Sequence, residues 1–377
     1  MDMPTVAAFT DTYLPTVNGV TYTVKSWREC WESRGHDMDL VYPKAGEYDP
    51  DPGEYPVRSV RFPFYEGFRI GAPQVPDAVT DADLVHAHTP FSVGLSGLRL
   101  ARSRDLPLVT SYHTPTSEYA EYISFSGTVE RTVRRCAVSY ERWFFDRADL
   151  VIAPSELTRE HIVENIGVET RVAVVDNGVD IDRFRPVDTG TFRDRYDLGE
   201  GPVIGYTGRH GYEKCLPDIL SAVEGMDVTV LFAGDGPARE DLEARAEKMD
   251  LDVSFLGFLD REELPAFYST LDVFAFPSPV ETQGLVALEA NACGTPVVGV
   301  DSGALSDTIV DGETGYRYPQ GDIEAFREQL RRALDERERL SESCLDRRDR
   351  LSVEHSVDRL EELYDSVLST AAPASND

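Results

Sequence analysis

Lysine is almost missing from this chain. Of 37 basic side chains in 377 residues, the lysines are Lys25, Lys44, Lys214 and Lys248. Acidic residues number 68, and the net charge is −31. A surface that acidic repels polyanions, which excludes nucleic acid as a partner. Acidic excess with scarce lysine is the pattern expected of a salt-accumulating (halophilic) cell, where salt screens self-repulsion. An acidic protein of an ordinary cell is the alternative. Cysteine is sparse too: five residues, widely spaced, with no C-x-x-C pair. That excludes a disulfide framework and a zinc ribbon, and it suits a reducing, cytoplasmic compartment. No run of about 18 apolar residues occurs, so no segment reads as a membrane span. The first apolar run, Val6 to Phe9, has no basic residue before it and is too short for a signal peptide.

What is present is alternation. Short β-rich runs are expected at Val6–Phe9, Met38–Val41, Leu84–Ala87, Leu108–Tyr112, Leu150–Ala153 and Val172–Val175. A second series covers Val203–Tyr206, Val228–Phe232, Val253–Phe255, Val273–Phe276 and Val297–Val300. Helical patterns fall between most of them. Several runs are apolar without a period of two, as strands buried on both faces are. The expectation is an α/β protein of parallel sheets. The series breaks at Asn177–Gly201, a polar stretch punctuated by glycine and proline that reads as a linker. Two Rossmann-like domains follow, residues 1–180 and 181–352. The tail from about Asp322 reads as charged helix, and the terminal "STAAPASND" as frayed. In such folds ligands bind at the carboxyl ends of the strands, so the loops after strands carry the candidates.

"TDTYLPTVNGV" ends in Asn18–Gly19 before a helix, where backbone can approach an anion; a plain turn explains it equally. His86 and His88 in "VHAHTPFS" share one face of a strand, and hydrogen-bonded polar groups explain them better than a metal does. His113 in "TSYHTPTSEY" follows a strand and suits either a structural or a functional role. "GYTGRHGYEK" is neither a dinucleotide fingerprint nor a P-loop, yet it offers Gly208, Arg209 and Lys214 after a strand. A glycine turn with two cations suits a diphosphate; surface ion pairing is the alternative. "FAGDGP" and "FLGFLDREEL" place Gly234, Gly257 and Phe258 after strands, where a nucleotide base could lie. In "PSPVETQGLVALEANACGTPVV", Thr282 is the expected helix cap, leaving the amides of Gln283, Gly284 and Leu285 for an anion. Glu281 stands before that helix and Glu289 inside it. Each could take the hydroxyls of one sugar, or Glu289 could pair with an arginine of the first domain.

Jointly these loops resemble glycosyltransferase family 4, the retaining GT-B enzymes. The likeness runs from Thr10 to about Tyr318 and is densest in "GYTGRHGYEK", "FAGDGP", "FLGFLDREELPAFYSTLDVFAFPS" and the E-x7-E of Glu281 and Glu289 followed by "GTPVV". The resemblance implies two Rossmann-like domains facing across a cleft, with a final helix near Val353–Ala371 returning to the first. It implies a nucleoside diphosphate sugar as co-substrate, no other cofactor and no metal. Arg209 and Lys214 would grip the diphosphate, with the backbone of Gly19, Gly284 and Leu285. Glu281 would contact the transferred hexose, Glu289 the ribose, and His113 would support the transition state beside the sugar.

The first half is similar to the subgroup making glycosyl diacylglycerols, sulfoquinovosyl lipids and phosphatidylinositol mannosides, through "DTYLPTVNGV", "HAHTPFSVGLSGLRLARSRDLPLVTSYHT" and "EYAEYI". That implies a lipid or glycolipid acceptor and a cytoplasmic protein peripheral to the inner face of the membrane; a soluble acceptor is the alternative. Arg131, Arg134, Arg135, Arg142 and Arg147, with Trp143, Phe144 and Phe145, could form an interfacial helix, or an ordinary helix packed on its domain. Two residues depart from the family: Cys215 stands where glycine is usual, and Gln283 where phenylalanine is. A paired-carboxylate hydrolase, a sugar-nucleotide epimerase and a non-catalytic sugar-binding protein are the rival readings.

Overall fold

A computed structural model of the chain describes residues 4–46, 48–62, 69–113 and 127–371, with the side chains of 127–132, 134 and 371 outside that description. The chain forms two compact units. One contains residues 1–177 and 356–377, the other residues 178–355.

The first unit is built on a seven-stranded sheet in the order β3-β2-β1-β6-β7-β8-β9. Its strands are β1 (Val6–Phe9), β2 (Met38–Pro43), β3 (Glu54–Val57), β6 (Leu84–Ala87), β7 (Leu108–Ser111), β8 (Leu150–Ala153) and β9 (Val172–Val174). Neighbours are parallel; β1 pairs Val6 with Met38 on one side and with Leu84 on the other. Strands β1, β6, β7 and β8 are buried at every residue, which explains their unbroken apolar runs. A separate antiparallel ribbon joins β4 (Ser59–Arg61) and β5 (Arg69–Gly71). The helix Gly19–Ser33 begins where Asn18 accepts a hydrogen bond from the Thr21 amide, and it buries Trp27 and Trp31. The final helix, Val353–Ala371, joins this unit from Ser356 onward, with Arg34 paired to Asp358 at 2.8 Å.

The second unit holds a six-stranded parallel sheet in the order β12-β11-β10-β13-β14-β15. These are β10 (Val203–Thr207), β11 (Thr229–Ala233), β12 (Val253–Gly257), β13 (Val273–Phe276), β14 (Val297–Val300) and β15 (Gly315–Tyr318).

Two expectations change. The stretch Asn177–Gly201 is not a linker: it forms the helix Gly190–Arg195, and Phe184 and Phe192 enter the second unit's core. Two aromatic anchors in a polar run are enough to dock it. Strands β3, β4, β5 and β15 were not expected. They read "EYPV", "SVR", "RIG" and "GYRY", which lack an apolar run. The terminal residues 372–377, expected to fray, lie outside the described residues.

Candidate active site

In the second unit, three glycine turns meet at the carboxyl ends of adjacent strands. The Gly208 amide donates to Ala233 O at 3.1 Å, and the Gly234 amide to Gly257 O at 2.6 Å. A Cβ on Gly234 would lie 2.1 Å from Gly208 O, and φ there is 108°. No other residue fits, because both the space and the backbone angle forbid a side chain. The turns after β10, β11 and β12 therefore form one backbone-lined edge. Phe258, directly after Gly257, is 65% exposed beside it.

Arg209 and Lys214 follow β10. Arg209 is paired with Glu213 at 2.5 Å and remains partly exposed. A short 3-10 turn, Tyr212–Lys214, directs the lysine inward. Its Nζ lies 2.8 Å from Glu281 Oε1, with the two side chains 19% and 17% exposed. Burial alone would lower the Lys214 pKa. The Glu281 carboxylate and then the Tyr206 hydroxyl outweigh it, and the pKa is raised above the ordinary lysine value. Lys214 is thus a fixed cation. The turn ends at Cys215, where φ is 52°. Glycine is the residue that adopts this left-handed conformation without penalty, so the departure from glycine carries strain.

The cap of the next helix corrects the sequence reading. The helix is Leu285–Ala292 and its cap is Gly284 at φ 78°, not Thr282. A Cβ on Gly284 would lie 2.8 Å from Leu305 and 2.9 Å from Phe276, so glycine alone makes this turn. The Ala287 amide bonds Gly284 O at 2.9 Å, which leaves the amides of Leu285 and Val286 without an intrahelical acceptor. Gln283 is buried, and its carbonyl accepts from Thr308 Oγ1.

Glu289 is 3% exposed and both its oxygens are engaged. Tyr268 donates to Oε2 at 2.8 Å, and Arg261 lies 3.2 Å from Oε1. The partner arginine belongs to the same unit, not to the first domain. Burial raises the Glu289 pKa against the pull of Arg261 and Tyr268. Neither Arg261 nor Tyr268 stood out in sequence; the arginine sits in a charged "LDREEL" stretch with no visible target.

In the first unit, Gly19 opens its helix, and a Cβ there would meet nothing within 4 Å. Asp11, unnoticed in sequence, is buried just after β1. It accepts from the amides of Val93 at 2.8 Å and Gly94 at 3.1 Å, and from Thr89 and Ser92. That carboxylate caps the helix Ser92–Arg104. His86, His88 and His113 form a stack of imidazoles, with ring centroids 4.0 and 5.4 Å apart. His86 is bonded to Tyr364 Oη at 2.6 Å and Ser111 Oγ at 2.8 Å, and His88 Nδ1 meets His113 Nε2 at 3.2 Å. His88 Nε2 is buried without a hydrogen-bond partner among the described residues, so the pair is only partly satisfied. Burial pushes His86 down to about 3 and His113 to about 4, so all three rings are neutral.

A helix stands where the interfacial one was expected. It spans Gly127–Phe145, but Phe144 and Phe145 are buried in the core and cannot reach a membrane. Arg142 is paired with Asp146 and Glu169, and Arg147 lies 4.2 Å over the exposed Trp143 ring. Arg135 is exposed. The side chains of Arg131 and Arg134, and the stretch "EYAEYI", lie outside the described residues. Among the described residues no helix is long and apolar enough to cross a membrane, and no cluster of three or more His, Cys, Asp or Glu could hold a metal ion.

Two family profiles match nearly end to end: one described as Glycosyltransferase Family 4 over residues 17–183, and one as Glycosyl transferases group 1 over residues 188–347. The chain is 32% identical to a sulfoquinovosyl transferase of Arabidopsis thaliana over 74% of its own length and 56% of that protein's. It is 29% identical to an alpha-monoglucosyldiacylglycerol synthase of Streptococcus pneumoniae, covering 83% of this chain and 75% of the relative. It is 30% identical to a GDP-mannose-dependent alpha-mannosyltransferase of Mycobacterium tuberculosis, covering 85% of each. A sucrose-phosphate synthase structure from Thermosynechococcus elongatus superposes with a TM-score of 0.79 at 22% identity, over 97% of this chain and 100% of that one. That likeness establishes the fold, the GT-B class expected from the resemblance.

Proposed function

The chain belongs to glycosyltransferase family 4, and from that premise we propose that it moves an α-hexosyl group from a nucleoside diphosphate sugar to a lipid or glycolipid acceptor, with retention and without a metal. The observation that carries this reading is the second unit's edge of three glycine turns beside Lys214, Glu281 and the Gly284 cap. A diphosphate needs fixed positive charge and free amides. Lys214 supplies the first; Arg209 adds a second cation once it leaves Glu213, and the Leu285 and Val286 amides supply the donors. Two cations and a helix N-terminus neutralise the leaving group without a metal. Glu281 takes hydroxyls of the hexose while Lys214 turns to the phosphate. Glu289, held rigid by Arg261 and Tyr268, keeps lone pairs for the ribose. Backbone of Gly208, Gly234 and Gly257, with Phe258, borders the base. The Gly19 backbone, at the N-terminus of its own helix, is a further candidate for phosphate contact. His113, neutral and stacked on His88, supports the transferred sugar. Donor and acceptor exchange on one face of the sugar, so no protein nucleophile is required.

The relatives' names support an α-linked product, a nucleotide-sugar donor and a diacylglycerol-type acceptor. A lipid acceptor places the protein at the cytoplasmic membrane face as a peripheral enzyme. Its acidic surface fits a halophilic cytoplasm; stability that rises as salt is added would support this, and stability indifferent to salt would refute it. A hydrolase using Glu281 and Glu289 is disfavoured, because each carboxylate is committed to an ion pair, Glu281 with Lys214 and Glu289 with Arg261, whereas binding hydroxyls needs only the remaining lone pairs. The test is incubation with labelled UDP-, GDP- and ADP-hexoses and membrane lipid in the presence of a chelator. The expected product is an α-linked glycolipid. Label recovered only in water-soluble acceptors refutes the lipid acceptor, loss of activity with chelator refutes metal independence, and free hexose released without acceptor refutes transfer.

A further inference from the structure

The β4–β5 ribbon of the first unit carries an exposed apolar pair beside basic side chains in an acidic chain. Val60 and Ile70 are directly opposite each other across the two strands and are 64% and 40% exposed. Arg61 and Arg69 are also directly opposite, on the ribbon's other face, where Arg69 Nε donates to Ser59 Oγ at 2.7 Å. Exposed apolar pairs gain little in water, and like charges face to face are destabilising. Neither arrangement favours an isolated ribbon, and two strands alone are marginal. The ribbon is instead rooted by Gly71, where a Cβ would lie 2.5 Å from Val93 and 3.3 Å from both Pro43 and Val57. Those are the first turn of the helix Ser92–Arg104 and the last residues of β2 and β3. The ribbon therefore stands at the carboxyl edge of the seven-stranded sheet.

A groove of about 750 Å³ opens beside it, lined by Lys44, Arg58 and Arg69 together with Val60 and Ile70. Among the described residues its lining contains no carboxylate, in a chain whose net charge is −31. Lys44 is one of only four lysines. Cations clustered around an exposed apolar pair match a surface that is anionic outside and apolar just beneath.

We infer that this ribbon docks the protein on an anionic phospholipid surface, with Val60 and Ile70 entering the headgroup boundary and Lys44 and Arg58, which line the groove beside them, meeting phosphates. The inference deepens the lipid-acceptor reading and rests on it. It moves membrane contact away from the helix Gly127–Phe145, whose Phe144 and Phe145 are committed to the core.

The experiment is co-sedimentation of the full chain with extruded vesicles, either pure phosphatidylcholine or equal parts phosphatidylcholine and phosphatidylglycerol. The wild type partitions onto the anionic vesicles, more weakly as salt rises, and little onto the neutral ones. Each cation near the surface is worth about fivefold in partition, so Lys44→Ala with Arg58→Ala lowers it about 25-fold. Val60→Asp with Ile70→Asp abolishes it. Circular dichroism melts confirm that both variants fold. If both bind anionic vesicles as the wild type does, the ribbon inference falls while the lipid reading stands. If the wild type binds no vesicles, both fall. Binding of inorganic phosphate in the groove without vesicle binding also overturns the docking role.

Discussion

Replacing Lys214 alone, and then with its partner, separates what this lysine does for the fold from what it does for the donor. Its Nζ is 2.8 Å from Glu281, and the two side chains are 19% and 17% exposed. Exposed pairs are worth under about 1 kcal/mol, whereas breaking a buried one costs about 3–5 kcal/mol. This pair is intermediate, so Lys214→Ala should cost about 2 kcal/mol of stability, most of it from the stranded Glu281 carboxylate. Adding Glu281→Gln removes that charge and should return most of the loss. Donor affinity behaves differently. A charge-assisted contact to phosphate is worth about 1.5–3 kcal/mol, so Lys214→Ala weakens nucleoside diphosphate binding roughly 10- to 150-fold. The double variant does not recover it, because no cation has returned. Urea melts give the first quantity and calorimetric titration the second. An unchanged dissociation constant in Lys214→Ala would refute the phosphate role. A double variant no more stable than Lys214→Ala would refute the stranded-charge argument.

Other outcomes follow from the same geometry. Cys215→Gly should stabilise the protein by up to about 1 kcal/mol in a urea melt, because φ is 52° there; destabilisation would mean that the thiol's packing outweighs the strain. Arg261→Ala leaves the Glu289 carboxylate buried without its ion-pair partner and should cost about 3 kcal/mol, with partial rescue by Glu289→Gln. Stability should fall as pH drops below about 6.5: buried His86 and half-buried His113 stay neutral in the fold until about 3 and about 4, while the unfolded chain takes up their protons first. Each imidazole contributes about 1.4 kcal/mol per pH unit in that window, so His86→Gln should flatten the slope by that amount; an unchanged slope would contradict the assignment.

The sequence exposed those parts of the fold whose cause is local. The strands reading "VAAF", "LVHA", "LVIA" and "VFAF" are buried on both faces and show it as unbroken apolar runs. Strand β3, "EYPV", gave no such sign. Its Glu54 is a buried carboxylate satisfied by Arg28 and Tyr13, each at 2.9 Å, from 26 and 41 residues away. Asp11 was hidden for the same reason: the amides it caps are more than 80 residues away. Each glycine turn of the donor edge was readable after its strand, but the contact of Gly234 with Gly208 and Gly257 exists only once three strands lie side by side. The cap at Thr282 failed because a good capping side chain lost to a left-handed turn that only Gly284 can make. The E-x7-E pair was visible, yet its immediate partners were not. Glu281 meets Lys214 from 67 residues away, and Glu289 meets Arg261 from a different loop.

The most direct test of the central claim is a thermal-shift screen of the intact chain against UDP-, GDP- and ADP-sugars in high salt. Ligand binding stabilises by RT ln(1 + [L]/Kd), so a true donor at about 100 Kd contributes roughly 2.7 kcal/mol. One nucleotide series should raise the melting temperature by several degrees, and Lys214→Ala should abolish the shift. No shift with any nucleotide sugar, from protein that melts cooperatively, would contradict the account.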